Sequence, residues 1–302
     1  MSLEALRARA RSWRTWHFVP AASDRMLARA ASLEADALIL DLEDSVAPAD
    51  KPAARDRARA WLSATSVRAA RVVRVNPAST PWNEDDVAMA GAHADVVLAP
   101  KVESARDLAA LDERIEAAER AAGRPSRSVG VAAIATETPR AVFRLEEIAD
   151  GPRLVALTWG AEDLSAALGA RATRDDGGAY LEVFRLARSL ALLAAASAGI
   201  AAVDGVFTAL DDDEGLRGEA HAAAAMGFTG KLTIHPRQIP VVNAAFGPDA
   251  RAVAEARELV AAYEAHAATG RGAFAFRGEM VDAPHLARAR ALLARAEGGE
   301  RA

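Results

Sequence analysis

Short apolar runs alternate with longer helical patterns along most of the chain. The runs Thr15–Val19, Ala37–Leu42, Val72–Asn76, Asp95–Pro100, Val129–Thr136, Leu154–Trp159, Ala201–Thr208 and Lys231–His235 read as strands. Ala37–Leu42 is apolar enough to be covered on both faces, as parallel sheets require. Between the runs lie Asp24–Glu34, Lys51–Leu62, Asn83–Ala90, Ser104–Ala122, Pro139–Ile148, Tyr180–Ala198 and Glu214–Met226. Ala, Leu, Arg and Glu fill these stretches, and all four are good helix formers. Eight strands with intervening helices predict an α/β fold, a TIM (β/α)8 barrel. A doubly wound open sheet is the alternative, and the count of eight favours the barrel.

The pattern changes near Phe246. Residues 1–246 are expected to form the barrel, its eighth unit closed by Pro236–Phe246. Residues 247–302 are expected to form a C-terminal helical extension or lid. Within them Asp249–Thr269 reads as an alanine-rich helix and Gly270–Gly278 as a glycine-rich turn carrying Phe274 and Phe276. Val281–Ala296 reads as a further helix, started by Asp282 with Pro284 just inside it. At the other end, Met1–Arg14 reads as a short amphipathic helix or arm.

Composition narrows the function. Apolar residues make up 51% and charged residues 26% of 302, ordinary for a globular protein with a sizeable core. The net charge of -5 argues against a nucleic-acid surface. No apolar run reaches membrane-spanning length, and the N-terminus has no signal-like apolar segment. With no cysteine, disulfides, thiolate metal sites and cysteine nucleophiles are excluded. A cytoplasmic protein is expected.

In such a barrel the C-terminal ends of the strands share one mouth, where active sites lie. The second strand ends in Asp41, Glu43 and Asp44, the third in Arg74 and Asn76, the fourth in Pro100, Lys101 and Glu103. The fifth ends in Thr136 and Glu137, the sixth in Gly160, Glu162 and Asp163, the eighth in His235. Each has a plain structural explanation: a helix cap, a first-turn acid facing the dipole, or an arginine paired with a buried acid. Their convergence on one rim is what points to a site. Glu137 and Asp163, on neighbouring strands, suit magnesium, which takes few protein ligands and leaves positions for substrate oxygens. Glu43 or Asp44 would act on the ion through water. Arg74 would grip a substrate carboxylate with its planar fork. A metal-polarised carbonyl is equipment for making or breaking a carbon–carbon bond beside it. Trp159 is expected beneath the metal site. The acidic run Asp211–Glu214 reads as a solvated helix cap, and His235-Pro236 as either a mouth residue or a structural turn.

The motifs Asp36–Lys51, Arg74-Val-Asn76, Ala99-Pro-Lys-Val-Glu-Ser104, Glu137-Thr-Pro139, Leu157-Thr-Trp-Gly-Ala-Glu-Asp-Leu164, Gly227-Phe-Thr-Gly-Lys231 and Ile234-His-Pro-Arg-Gln238 stand in order. Together they resemble the citrate lyase beta-subunit-like branch of the HpcH/HpaI aldolase family, over about Thr15 to Ala296. The resemblance implies a barrel that binds magnesium and coenzyme A thioesters. It makes Glu137 and Asp163 the metal ligands and Arg74 the keto-acid clamp. Glu43 and Asp44 fall around the metal, and Gly160 and Ala161 at the substrate. The segment Gly278-Glu-Met-Val-Asp282-Ala-Pro-His is similar to the end of malyl-CoA and citramalyl-CoA lyases. There an aspartate from a neighbouring subunit serves as acid/base, which assigns that role to Asp282 and implies a homo-oligomer, a trimer or hexamer. Two positions depart from the family. Met26 stands where a basic residue is frequent, leaving Arg25 or Arg29 for the CoA phosphates, and Ala21 replaces a glycine.

The expected activity is magnesium-dependent cleavage of a malyl-, methylmalyl- or citramalyl-CoA type thioester to acetyl- or propionyl-CoA and glyoxylate or pyruvate. A malyl-CoA thioesterase, a CoA-independent aldolase, a citrate-lyase-like subunit needing a partner acyl carrier, and a ligand-binding pseudoenzyme are the alternatives.

Overall fold

A computed structural model of the chain describes residues 1–247, 249–267 and 273–301, with side chains as far as residue 294. It divides into two compact units, Met1–Ala245 and Phe246–Ala302.

In the first unit, β1 (Thr15–Pro20), β2 (Ala37–Asp41), β3 (Ala70–Arg74), β4 (Val96–Ala99), β5 (Gly130–Ile134), β6 (Leu154–Thr158), β7 (Ala201–Asp204) and β8 (Gly230–Thr233) form a closed barrel in sequence order. Every pairing is parallel, and β8 closes on β1 with Thr15 opposite Lys231 and Trp16 opposite Leu232. One set of alternating positions, including Trp16, Ile39, Val72, Leu98, Ala132, Ala156, Val203 and Leu232, packs in the barrel interior. The other set, including Leu38, Leu40, Val73, Val97 and Leu157, is also buried. Burial of both faces explains why the strands are continuous apolar runs, each buried leucine contributing about 1.5–3 kcal/mol.

The helices are α2 (Asp24–Ala30), α3 (Lys51–Ala64), α4 (Asn83–His93), α5 (Ala105–Ala121), α6 (Pro139–Val142), α7 (Leu145–Ala149), α8 (Ala161–Leu168), α9 (Glu182–Ser197), α10 (Asp213–Met226) and α11 (Gln238–Phe246). The N-terminal arm is a helix, α1 (Leu3–Ala10), and it plugs the barrel. Its Leu6 and Ala10 join the interior cluster with Trp13, and Arg7 Nε donates to the Leu154 carbonyl at 2.7 Å. A Cβ on Gly230 would stand 2.3 Å from the Trp13 carbonyl oxygen, so β8 can start there only as glycine. The end where the strands begin is therefore closed, and the end where they finish carries the open cleft.

Among the helices of this unit, two stretches differ in kind from the sequence reading. Pro139–Ile148 breaks at Phe143-Arg144 into α6 and α7. The stretch after Gly160, for which the sequence pattern named no helix before Tyr180, is the two-turn helix α8. Glu162 and Asp163 in its first turn suit the dipole, Leu164 is buried, and Gly169 ends it at φ +65°. The acidic run does cap, as expected: Asp212 accepts from Gly215 N at the start of α10. Among the described residues no helix is long and apolar enough to cross a membrane.

The second unit contains α12 (Ala250–Ala267), β9 (Phe274–Phe276), β10 (Glu279–Val281) and α13 (Ala283–Arg301). Gly270–Gly278 was expected to be one turn. Its first three residues lie outside the described residues, and the rest belongs to an antiparallel hairpin, β9 with β10. Arg277 (φ +51°) and Gly278 (φ +88°) are the two turn residues, the positive-φ pair that matches the twist of a tight hairpin. Phe274 stacks on His266 and meets Tyr263 edge-on, so it packs against α12.

Candidate active site

The cleft is built from two charged halves. On the first, Asp41 and Arg74 are directly opposite across β2 and β3. Arg74 Nε and Nη2 each lie 2.7 Å from an Asp41 oxygen, a bidentate pair. Nη1 is 3.0 Å from Glu43 Oε2 and 3.2 Å from Asp44 Oδ2, and the guanidinium lies 4.7 Å above the Phe18 ring. The turn holding these acids is itself pinned. Lys51 Nζ donates to the carbonyls of Leu42 and Glu43 at 2.9 and 2.8 Å, and Asn76 Nδ2 donates to Leu42 O at 2.9 Å. Burial alone would raise the Asp41 carboxyl, but the hydrogen bonds and charge of Arg74 hold it below its ordinary range.

The second half centres on Lys101. Its φ of +52° is left-handed, a conformation costing a non-glycine residue of order 1–2 kcal/mol. That backbone aims its N–H at Glu137 Oε2, 2.5 Å away. Its Nζ lies 2.8 Å from Asp163 Oδ1 and 3.3 Å from Glu43 Oε1, joining the two halves. Gly160 packs so closely on Glu137 that an added Cβ would stand 3.1 Å from its Cγ, and its N–H donates to Thr136 Oγ1. Burial pushes the Glu137 carboxyl up to about 8, with Asp163 and Glu43 adding to the rise. Burial raises Glu43 as well. Glu43 Oε2, although close to Arg74, is buried without a hydrogen bond. Among the described residues, Asp41, Glu43, Asp44, Glu137 and Asp163 thus face only the two cations Arg74 and Lys101.

Apolar groups complete the cleft, whose free volume is about 150 Å³. Phe18, Ile134, Trp159, Tyr180 and Leu232 line it together with Arg74, Glu137, Gly160, Ala161 and Asp163. Trp159 is buried, meets Tyr180 edge-on at 5.0 Å, and donates its Nε1 to Asp204 Oδ1 at 2.8 Å. Asp204 also receives Arg188 Nε at 2.7 Å and Lys231 Nζ at 2.8 Å.

The residues expected at the mouth therefore gather there: Glu43, Asp44, Arg74, Glu137, Gly160, Ala161 and Asp163. The geometry corrects one point, since the fork of Arg74 is taken by Asp41 and only its Nη1 side faces the other acids. His235 is a turn residue, its Nδ1 accepting from Arg237 N at 3.2 Å. Arg25, Met26 and Arg29 are exposed on α2. Asp282 stands in the second unit, half-exposed, directly before α13, its Oδ1 2.6 Å from His285 Nδ1. Asp204 and the bridging role of Lys101 were not singled out from sequence. A signal for Lys101 was present. The chain has 37 basic residues, and only Lys51, Lys101 and Lys231 are lysines. A chain that uses arginine for nearly every cation keeps lysine where a compact ammonium is required.

The profile of the HpcH/HpaI aldolase/citrate lyase family matches residues 14–236. The chain belongs to this family. Its relatives include a (3S)-malyl-CoA thioesterase of Cereibacter sphaeroides, 37% identical over 95% of this chain and 96% of that one. An L-malyl-CoA/beta-methylmalyl-CoA lyase of the same species is 36% identical over 93% of each chain. A crystal structure of CitE from Mycobacterium tuberculosis, in complex with magnesium, acetoacetate and coenzyme A, superposes with a TM-score of 0.78. It is 40% identical, over 95% of this chain and 99% of that one. The closed eight-stranded barrel is thus the architecture of an HpcH/HpaI family member.

Proposed function

We propose that this chain is a magnesium-dependent CoA-ester lyase. Its substrate would be a 3-hydroxyacyl-CoA thioester of the malyl-, methylmalyl- or citramalyl-CoA type, split into acetyl- or propionyl-CoA and glyoxylate or pyruvate. The observation that carries this reading is the shortage of cations around Glu137, Glu43 and Asp163. A buried carboxyl near 8 and a buried carboxylate oxygen that receives no hydrogen bond fit a site built for a further cation. Among the described residues no three His, Asp or Glu side chains enclose a metal by themselves. A two-carboxylate set completed by water and substrate oxygens is the magnesium pattern instead.

Glu137 and Asp163 would hold the ion, with Glu43 and Asp44 acting through water. When bound, the ion supplies Lewis-acid polarisation of the keto or hydroxyl oxygen. The Nη1 side of Arg74 would take the substrate carboxylate. Asp44, exposed and in hydrogen-bond contact with Nη1 at 3.2 Å, is the group that gives way. Phe18, Ile134 and Leu232 form an apolar floor that suits a small, short-chain acid and keeps water from the reacting carbons. Cleavage breaks the bond between the hydroxyl-bearing carbon and the carbon beside the thioester carbonyl. The hydroxyl loses its proton, and the carbon beside the thioester takes the electron pair and then a proton. Asp282 of a neighbouring subunit in a trimer or hexamer would supply that proton.

Two experiments test this. The purified chain is given a panel of CoA esters with and without magnesium, and the products are separated. A lyase gives acyl-CoA and keto acid. Free CoA and malate would instead support the thioesterase reading, which the 37% identical relative favours. Activity that appears only with an added acyl carrier would support the citrate-lyase-like subunit. For Asp282, the inactive variants Asp163→Asn and Asp282→Asn are mixed under subunit exchange. Activity partly returns if the tail of one chain completes the site of another. If Asp282 only starts a helix, Asp282→Asn, an equally good cap, leaves both stability and rate nearly unchanged.

A further inference from the structure

We infer that Lys101 is a tethered cation that competes with the metal: its ammonium holds the carboxylates together in the metal-free protein and is displaced when magnesium enters. The inference rests on the magnesium reading above. It is carried by the geometry of one residue. The Lys101 ammonium lies 2.8 Å from Asp163 Oδ1 and 3.3 Å from Glu43 Oε1, and the Lys101 N–H holds Glu137 Oε2. One residue thus contacts all three acids that are short of cations, Asp163 and Glu43 through its ammonium and Glu137 through its backbone N–H. An ammonium is a compact point charge with three rotatable donors, so it can occupy the middle of a carboxylate cluster where a planar guanidinium cannot.

The other two lysines show that this arrangement is not a general use of the residue. Lys51 is buried and donates to two backbone carbonyls, while Lys231 is fully buried between Asp204 and Glu219. Lys101 differs from both in being part-exposed, its side chain 35% accessible. Its backbone is fixed by the left-handed turn and by Glu137, but its four-carbon stem opens towards solvent. The ammonium can therefore withdraw while Glu137 stays in place. Without it, Glu137 and Asp163 would face Glu43 with only the Nη1 edge of Arg74, on the Glu43 side, as opposing charge, and the acids would splay apart. With it, the site stays assembled, and magnesium enters only above the concentration at which two charges displace one.

The test is calorimetric titration of the full-length protein with magnesium chloride, together with thermal melting with and without the metal. Lys101→Met and Lys101→Gln remove the charge. Each should bind magnesium roughly tenfold more tightly or better, the scale on which a unit charge 4–6 Å away shifts an ionic equilibrium. Each should also melt lower than wild type without magnesium and show a larger magnesium-induced rise in melting temperature. Lys101→Arg keeps the charge and should gain no affinity. A merely structural lysine predicts lower melting with unchanged or weaker magnesium binding. That result in whichever uncharged variant folds, or an equal gain in Lys101→Arg, overturns the inference. If neither wild type nor any variant binds magnesium at millimolar concentration, the metal reading itself fails and takes this inference with it.

Discussion

Glu137 and Asp204 are both buried carboxylates, 3% and 0% exposed, on the same half of the barrel, yet their surroundings are opposite. Asp204 is saturated: Trp159, Arg188 and Lys231 all donate to it. Burial alone would raise its carboxyl, but Lys231 and Arg188 hold it well below the usual range. Glu137 receives one hydrogen bond from the Lys101 N–H, and burial takes its carboxyl to about 8. Arg153 belongs with Asp204. It is fully buried and contacts Asp112, Glu116 and Glu119 on successive turns of α5. Burial of charge therefore does not mark function in this fold. What separates the sites is whether the chain supplies enough opposite charge of its own.

The sharpest way to break this comparison is to neutralise both acids. Asp204→Asn leaves Arg188 and Lys231 short of a buried partner and should cost about 3–5 kcal/mol, read from urea unfolding. Glu137→Gln should leave stability within about 1 kcal/mol and reduce turnover by about 100-fold or more, since a Lewis-acid contribution of several kcal/mol is lost. Asp163→Asn should behave like Glu137→Gln. Equal losses of stability in Asp204→Asn and Glu137→Gln would abolish the distinction.

A smaller effect concerns His17, a buried group with no ion pair among the described residues, whose Nδ1 lies 3.0 Å from Thr233 Oγ1. Burial, helped by His235, lowers it to about 4 from an ordinary 6.5. The unfolded chain then binds more protons between those values. Its contribution to stability is complete above pH 6.5 and is lost as pH falls towards 4, by at most about 3 kcal/mol. His17→Gln should flatten the acid side of the stability profile, measured as urea midpoints at pH 7 and pH 4.5. An unchanged slope would show that His17 is not the group responsible.

The smallest expected effect belongs to Arg74, which stands between the two extremes. Its fork is satisfied by Asp41 while Nη1 faces acids that are short of cations. Arg74→Lys should raise the keto-acid KM by about tenfold in the condensation direction, with the CoA-ester KM nearly unchanged, because an ammonium cannot serve both edges. Equal changes in both constants would assign Arg74 to structure or to CoA.

The barrel was legible because its strands are buried on both faces, which forces continuous apolar runs that no loop imitates. Glu43, Arg74, Glu137 and Asp163 were legible because a charged residue at the end of such a run breaks the pattern. Asp204 was not. It was read inside an overlong strand, Ala201–Thr208, and its donors come from positions 45, 16 and 27 residues away. No local spacing encodes a partner set drawn from three elements. Lys101 was visible as a strand-end residue, but its left-handed backbone was not, since only tertiary contacts hold a non-glycine residue there. Helix α8 was missed because Gly160 and the acids Glu162 and Asp163 at its start have the same composition as a loop.

Closure of the barrel by β8 on β1 has a consequence for how the protein is made. Residues 15–17 find their second set of hydrogen-bonding partners only at residues 231–233. On the ribosome, the first strand has emerged long before the last, and its outer edge stays open while more than two hundred residues follow. Loop closure over that span is slow, and an unpaired apolar edge is a template for other chains. Folding yield, rather than final stability, is where this topology is most exposed. Protein made slowly or at lower temperature should aggregate less than protein made fast, and circular permutation between β8 and β1 would move the vulnerable edge to another seam.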